Sequence, residues 1–276
     1  MWSVLINKKQ VFVYLSLLVF GLILFLSWLY MYTDQSDQNL AINFQENSTE
    51  KSVEKIVGRF GRHDEKQVTS EEVELDSSTR LPLQDIKIGI DPGHGGFDPG
   101  YFTEDLRECD IVLEIALKLR RLLEQGGGLV VMTRDKDEDR LESGKSGSPR
   151  DELTKRVEYL SKQEIDLLVS IHANSISSPV WHGAQTFYSP GDEYSKFLSE
   201  SIQSQLRTVL ANTDRVALPA NYFILNEIPR ASALIEAGFL TNPREKELLQ
   251  TDEYQELVAW SIYLGILDYY HSKAPQ

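Results

Sequence analysis

The sequence predicts an α/β domain, a largely parallel sheet of about six strands flanked by helices, with a transmembrane helix ahead of it. Three observations carry this. From Ile86 onward, short apolar segments of strand character alternate with segments of helical period. Two of the predicted strands have a histidine just past their carboxyl ends, His94 and His172, in a chain that has only five. Near the start, Val11 to Tyr32 is a run of 22 residues without a charge.

The first predicted strand is Ile86-Lys-Ile-Gly-Ile90, apolar at every second position. Asp91-Pro-Gly93 stops it, because Pro92 has no N–H to give a ladder and glycine permits a sharp turn. His94 therefore falls on a tight loop just past the carboxyl end of a strand, where open α/β sheets bind their ligands. Flanking glycines are expected to leave its imidazole uncrowded. After Asp98-Pro-Gly comes a helix with Ile111, Ile115, Leu119 and Leu122 at a 3.6-residue period, ended by Gly126-Gly-Gly128. Leu129 to Thr133 reads as the second strand. Asp135 to Arg150 reads as a polar loop, since Gly144, Gly147 and Pro149 deny a regular element. A helix is expected over 151–163, then a third strand, 166–171, leading to His172. A fourth strand at 183–188 and a helix at 193–210 follow. Tyr222-Phe-Ile-Leu225 and Ala233-Leu-Ile-Glu-Ala237 are read as two more strands. Asn242 caps a short helix with Pro243 in its first position and Glu245 closing a capping box. A last amphipathic helix spans 252–270.

The residues ahead of this domain divide in two. Lys8 and Lys9 precede the uncharged run, Trp28, Tyr30 and Tyr32 close it, and Asp34 and Asp37 follow. At about 1.5 Å per residue the run crosses the roughly 30 Å hydrocarbon core. The lysines place the amino terminus in the cytoplasm and the remainder outside. Bulky residues occupy the place of a small-residue cleavage site, which favours an uncleaved anchor over a signal peptide. Residues 34–84 are too polar to bury a core and read as a stem, with a short helix permitted over 52–60. The expected organisation is thus anchor 1–33, stem 34–84 and globular domain 85–272.

Acidic side chains outnumber basic ones 42 to 28, for a formal charge of −14. No basic patch recommends nucleic acid as a partner. One cysteine, Cys109, excludes an internal disulfide and a cysteine-rich zinc site, leaving histidine and carboxylate as metal ligands.

Four residues are placed to form a site. His94 and His172 end two strands. Glu236 sits inside an otherwise apolar strand, where a buried carboxylate costs several kcal/mol unless a metal or a metal-bound water compensates, the alternative being that it points to the solvent face of an edge strand. Glu108 opens a helix, where an acid also serves the helix dipole. Asp91, Asn174 and Arg156 are further candidates for supporting or substrate contacts, each with an equally good structural reading as turn residue, loop cap or surface helix charge. His182 and His271 lack strand-end settings.

Asp91-Pro-Gly-His-Gly-Gly96, Arg107-Glu108, Ser170-Ile-His-Ala-Asn174 and Ile235-Glu-Ala-Gly-Phe-Leu-Thr-Asn242, in this order, resemble the zinc-dependent N-acetylmuramoyl-L-alanine amidases of bacterial cell walls. The likeness spans about Ile86 to Tyr270. Trp181 to Tyr188, Ala233 to Leu240 and Tyr254 to Ile266 look like the spore-cortex, germination-related branch of that family, as does the amino-terminal anchor. The resemblance implies that His94, Glu108 and His172 bind Zn2+, and that Glu236 is the catalytic carboxylate, taking a proton from the attacking water and passing it to the departing amine of L-alanine. It implies peptidoglycan as substrate, hydrolysis of the amide between muramic acid and L-alanine, and a step before muramic δ-lactam forms in the cortex. It also implies an enzyme anchored in a forespore or mother-cell membrane with its catalytic domain outside the cytoplasm. An accessory envelope protein is an open partner. Two departures stand out. Cys109 replaces a residue that is usually polar and is expected to pack into the core, and Gln185 replaces a glutamate common in wall amidases. No insertion resembles the autoinhibitory helix of division amidases. On the residues alone, another zinc peptidase of the envelope and an inactive wall-binding protein remain rival readings.

Overall fold

The computed structural model describes residues 80–139 and 147–272. The expected anchor and nearly all of the stem lie outside the described residues, as does the short helix allowed over 52–60. Among the described residues no helix is long and apolar enough to cross a membrane.

The strands are β1 (Lys87–Pro92), β2 (Phe102–Thr103), β3 (Leu106–Arg107), β4 (Leu129–Met132), β5 (Leu167–Asn174), β6 (Gln185–Tyr188), β7 (Leu218–Pro219) and β8 (Ala231–Phe239). The helices are α1 (Glu108–Gln125), α2 (Pro149–Ser161), α3 (Glu193–Leu210), α4 (Phe223–Glu227), α5 (Pro243–Leu249) and α6 (Asp252–His271). Six strands form one sheet in the order β4-β1-β5-β8-β6-β7, and β2 and β3 form a separate small hairpin. Every pair in the large sheet is parallel except β6 with β8. The expected α/β class and strand number are therefore borne out.

The sheet separates two apolar layers. Ile88, Ile90, Val169, Ile171, Ala233 and Ile235 face a core built with α1, α3 and α6. Leu168 and Leu234, one residue out of step, face a smaller core with Leu160 of α2 and Ile224, Leu225 and Ile228 in and after α4. Successive strand residues point to opposite faces. Glu236 and His172 therefore belong to the α2 and α4 face, together with Leu234. Chain entry is set by Leu83, which is fully buried and donates its N–H to the Gly126 carbonyl. The core thus begins slightly ahead of the boundary expected at residue 85.

Four local expectations are corrected. Tyr222-Phe-Ile-Leu225 is not a strand. Ile224, Leu225 and Ile228 bury one face of a short helix, and the parallel edge place beside β6 is taken by Leu218–Pro219. Pro149 does not deny a helix but starts one. Ser148 caps α2, accepting from the Asp151 N–H while Asp151 accepts in return, and proline fits the first turn because its missing N–H has no helical partner to lose. β5 does not stop before His172 but runs through it to Asn174, because the ladder with β8 continues that far. Asn242 does cap α5, but Glu245 leaves the capping box open. Its carboxylate instead accepts from the Gly183 and Phe239 N–H groups, 2.8 Å each, and so ties the start of β6 to the end of β8.

Candidate metal centre and active site

The carboxyl ends of β1, β5 and β8 converge on one point. His94 follows β1, His172 lies near the end of β5, and Glu236 lies on β8 directly opposite His172 in the ladder. Glu108, first residue of α1, is brought to the same point by the hairpin of β2 and β3. Its N–H donates to the Tyr101 carbonyl at 2.8 Å, and Tyr101 N–H donates back to Glu108 Oε2 at 3.0 Å.

Glu108 Oε1 stands 3.2 Å from His94 Nε2 and 3.3 Å from His172 Nδ1. One potential ligand atom from each of His94, Glu108 and His172 lies within 4.8 Å of the other two. The two imidazoles meet edge to face, with centroids 4.9 Å apart. Such closeness has a backbone cause. A Cβ on Gly93 would sit 2.2 to 2.5 Å from the His172 ring, so the glycine before His94 makes room for the other histidine. A Cβ on Gly100 would meet Glu108 Oε2 at 2.6 Å and the His94 ring at 2.7 Å. His94 itself adopts the left-handed region, φ 59°, a conformation disfavoured in non-glycine residues and recurrent at functional sites.

Electrostatics fit a cation at this point. Burial alone would suppress charge on His94, but hydrogen bonding and ion pairing with Glu108, then Asp98, overcome it and raise the ring to about 9. Burial likewise opposes ionisation of Glu108, yet hydrogen bonds from His172 and His94 hold it far below the usual carboxylate range. Glu236 lies in a different balance. Burial dominates and, despite the favourable charge of His172, raises it to about 7. Its Oε2 is buried without a hydrogen-bond partner among the described residues. Two imidazoles and a carboxylate, with an orphaned carboxylate oxygen alongside, is the donor set of an open catalytic metal site. The residues present therefore fit a divalent metal.

A model of the N-acetylmuramoyl-L-alanine amidase family matches residues 88–268. The chain belongs to this family. It is 41% identical over 197 residues to the germination-specific N-acetylmuramoyl-L-alanine amidase of Bacillus subtilis, covering 70% of this chain and 83% of that protein. It is similar to the CwlD amidase of Clostridioides difficile, solved in complex with the GerS lipoprotein, at 39% identity and a TM-score of 0.64, over 67% of this chain and 98% of that one. A second solved N-acetylmuramoyl-L-alanine amidase, from Clostridium difficile 630, is similar at 33% identity and a TM-score of 0.61, over 68% of this chain and 98% of that one.

In this amidase all four residues singled out from the sequence meet at one site. The supporting candidates resolve differently. Asp91 is buried and accepts from Thr133 and Ser170 hydroxyls at 2.7 and 2.8 Å and from Arg156 at 3.2 Å. Burial opposes its charge, but Arg156 and the hydroxyls hold its pKa below the ordinary value. Arg156 is no surface charge. It is buried, pairs with Glu152 at 2.8 Å, and donates to the Pro92 and His94 carbonyls. It thus holds the His94 loop from beneath. Asn174 ends β5, and its carbonyl accepts from Leu240 N–H. Gln185 sits opposite Glu236 in the β6–β8 ladder, but its amide is engaged by Arg215 and the Val216 carbonyl. Cys109 is buried as expected, and its thiol is pushed up to about 11 by burial.

Two residues were missed from the sequence. Asp98 Oδ2 lies 2.8 Å from His94 Nδ1, with Asp98 Oδ1 accepting from Gly100 N–H at 3.0 Å. A carboxylate on the second ring nitrogen fixes the tautomer and orientation of a ligating histidine. The four-residue spacing from His94 was the available signal. Arg134 donates to the Pro92, Gly93 and Cys109 carbonyls, joining the His94 loop to α1. Its sequence context, a charge after a predicted strand, gave no sign of this.

Proposed function

We propose that this chain is a zinc-dependent hydrolase of the amide bond between N-acetylmuramic acid and L-alanine in peptidoglycan. The observation that carries the reading is the orphaned Glu236 carboxylate beside the His94, Glu108 and His172 cluster. His94, Glu108 and His172 would hold Zn2+. Zinc, when bound, lowers the pKa of water toward about 7 and polarises the scissile carbonyl. Glu236 supplies the proton traffic. Its carboxylate takes a proton from the attacking water and delivers it to the nitrogen of L-alanine as the C–N bond breaks. A resting value near 7 suits both halves of that task, because the group accepts and releases a proton near neutral pH. Asp98 keeps His94 oriented, and Arg156 and Arg134 keep its loop in place.

The spore-cortex role is part of the same proposal. It is supported by the likeness to the germination-specific enzyme of Bacillus subtilis. Stem-peptide removal would then precede muramic δ-lactam formation. The uncharged run Val11 to Tyr32 would anchor the enzyme in a membrane, with the domain outside the cytoplasm. A lipoprotein-type envelope partner is proposed on the complex formed by the Clostridioides difficile relative.

Labelling of new amino termini in digested peptidoglycan tests the chemistry. L-alanine termini are expected from zinc-loaded protein and none from chelated protein. Termini of other stem residues would overturn the reading.

A further inference from the structure

A cavity of about 230 Å³ opens beside the metal cluster, and His94, His172, Glu236, Tyr222, Phe223 and Leu153 are among its lining. Most of its charged groups are already committed to one another. Arg156 is spent on Glu152, Asp91 and two backbone carbonyls, and Asp98 on His94 and Gly100. Tyr222 is different. Its hydroxyl has no hydrogen-bond partner among the described residues. Its ring is nevertheless fixed, meeting the edge of Phe187 with centroids 5.6 Å apart and planes at 69°. Phe187 stands opposite Leu234 in the β6–β8 ladder, and Leu234 lies two residues before Glu236. Phe187, Leu234 and Glu236 therefore rise from the same face of the sheet, and Tyr222, which precedes α4, packs its ring against Phe187 on that face. The start of α4 thus brings a phenol with a spare O–H, held against Phe187, into the lining of the cavity that Glu236 also lines.

We infer that the Tyr222 hydroxyl is a catalytic hydrogen-bond donor, directed to the carbonyl oxygen of the scissile amide as that oxygen gains negative charge. The inference rests on the amidase reading. A neutral donor is what that oxygen requires. Glu236 is occupied with the proton, and the metal-binding side chains with the metal. Burial, reinforced by the nearby Glu236 charge, raises the Tyr222 pKa, so the phenol keeps its proton across the working range. A preorganised donor at a developing oxyanion contributes about 10²–10³-fold to turnover elsewhere. No covalent step is added, since the hydroxyl keeps its proton throughout.

Tyr222→Phe tests this, because it removes the oxygen and keeps the ring against Phe187. The expected result is a kcat lower by about 10²-fold, with KM and metal content near wild type, since the bond strengthens mainly in the transition state. A kcat within twofold of wild type would overturn the inference. So would a loss of turnover matched by loss of metal, which would make Tyr222 structural. A second measurement needs no turnover. In metal-free protein labelled with ¹³Cζ-tyrosine, the resonance missing from Tyr222→Phe is expected to shift on saturation with a muramyl dipeptide. A resonance that stays put at saturation would overturn the assignment. Wild-type protein that frees no L-alanine termini would overturn the amidase reading instead, and the resonance would still decide the role of the hydroxyl.

Discussion

Glu236 stands opposite His172, Cα to Cα, where the β5 and β8 strands run parallel. Neighbours in such a ladder present their side chains to one face. One pairing thus places the residue proposed to carry the proton beside a residue proposed to bind the metal, without help from a loop. The ladder becomes irregular between His172 and Asn174, so the close approach is made at the last regular pair.

The two carboxylates are expected to fail differently. Glu236→Gln keeps the volume and loses the proton acceptor. Its metal content should equal wild type while turnover falls by roughly 10²–10⁴. Glu108→Gln weakens a ligand, so metal affinity should drop and excess zinc should restore part of the activity. Metal analysis alongside turnover separates the two. Loss of metal from Glu236→Gln, with retention in Glu108→Gln, would exchange the roles.

Metal uptake should release a proton. In the metal-free protein His94 is raised from 6.5 to about 9 by Glu108 and Asp98 acting against burial, whereas a ligating imidazole must be unprotonated. Calorimetric titration with zinc near pH 7.5 in buffers of different ionisation enthalpy should show the release, and affinity should rise with pH toward 9. The sign for stability is the reverse. A folded pKa above the unfolded one makes protonation favour the fold, so this contribution is complete below about pH 6.5 and is lost as pH rises through about 9. Urea midpoints of metal-free protein should fall across that window, and those of zinc-loaded protein should not follow.

The acid limb of turnover should report Glu236. Its carboxylate, raised to about 7 by burial, must be ionised to accept a proton. A bound cation favours the ionised form. The limb is therefore expected at or below about pH 7 in the zinc enzyme, and it should vanish from the residual rate of Glu236→Gln.

The supports beneath His94 give a graded pair. Asp98→Asn leaves the ring a weaker partner, and zinc affinity should fall by about 10–100-fold with little change in stability. Arg156→Met removes the buried cation that pairs with both Asp91 and Glu152, and breaking a buried pair costs about 3–5 kcal/mol. Urea unfolding of the metal-free variants reads the second effect, and a change below 1 kcal/mol would contradict the role given to Arg156.

The fold, His94, His172 and Glu236 are legible in the sequence because they follow local rules, whereas Glu108 reads equally well as a helix-start acid and is singled out by the family resemblance. Strand and helix periods alternate along the chain, His94 and His172 follow strands, and Glu236 breaks an apolar pattern where that is costly. What escapes the eye is non-local. Asp98 matters only because the His94 loop folds back on itself. Arg156 reads as a helix surface charge until α2 is laid over the β1 loop. Tyr222-Phe-Ile-Leu225 has strand-like residues, but its helix is decided by the second apolar layer, which no local pattern records. Pro149 misleads for a simpler reason, since the same missing N–H that breaks a helix interior suits a helix start.

The most direct test of the central claim is mass spectrometry of peptidoglycan digested with zinc-loaded wild-type protein and, in parallel, with Glu236→Gln. Intact stem peptides beginning with L-alanine and glycan strands with free muramic carboxyl groups are expected, with both products forming roughly 10²–10⁴-fold more slowly from the variant. Cleavage between stem amino acids, or equal products from the two proteins, would contradict that claim.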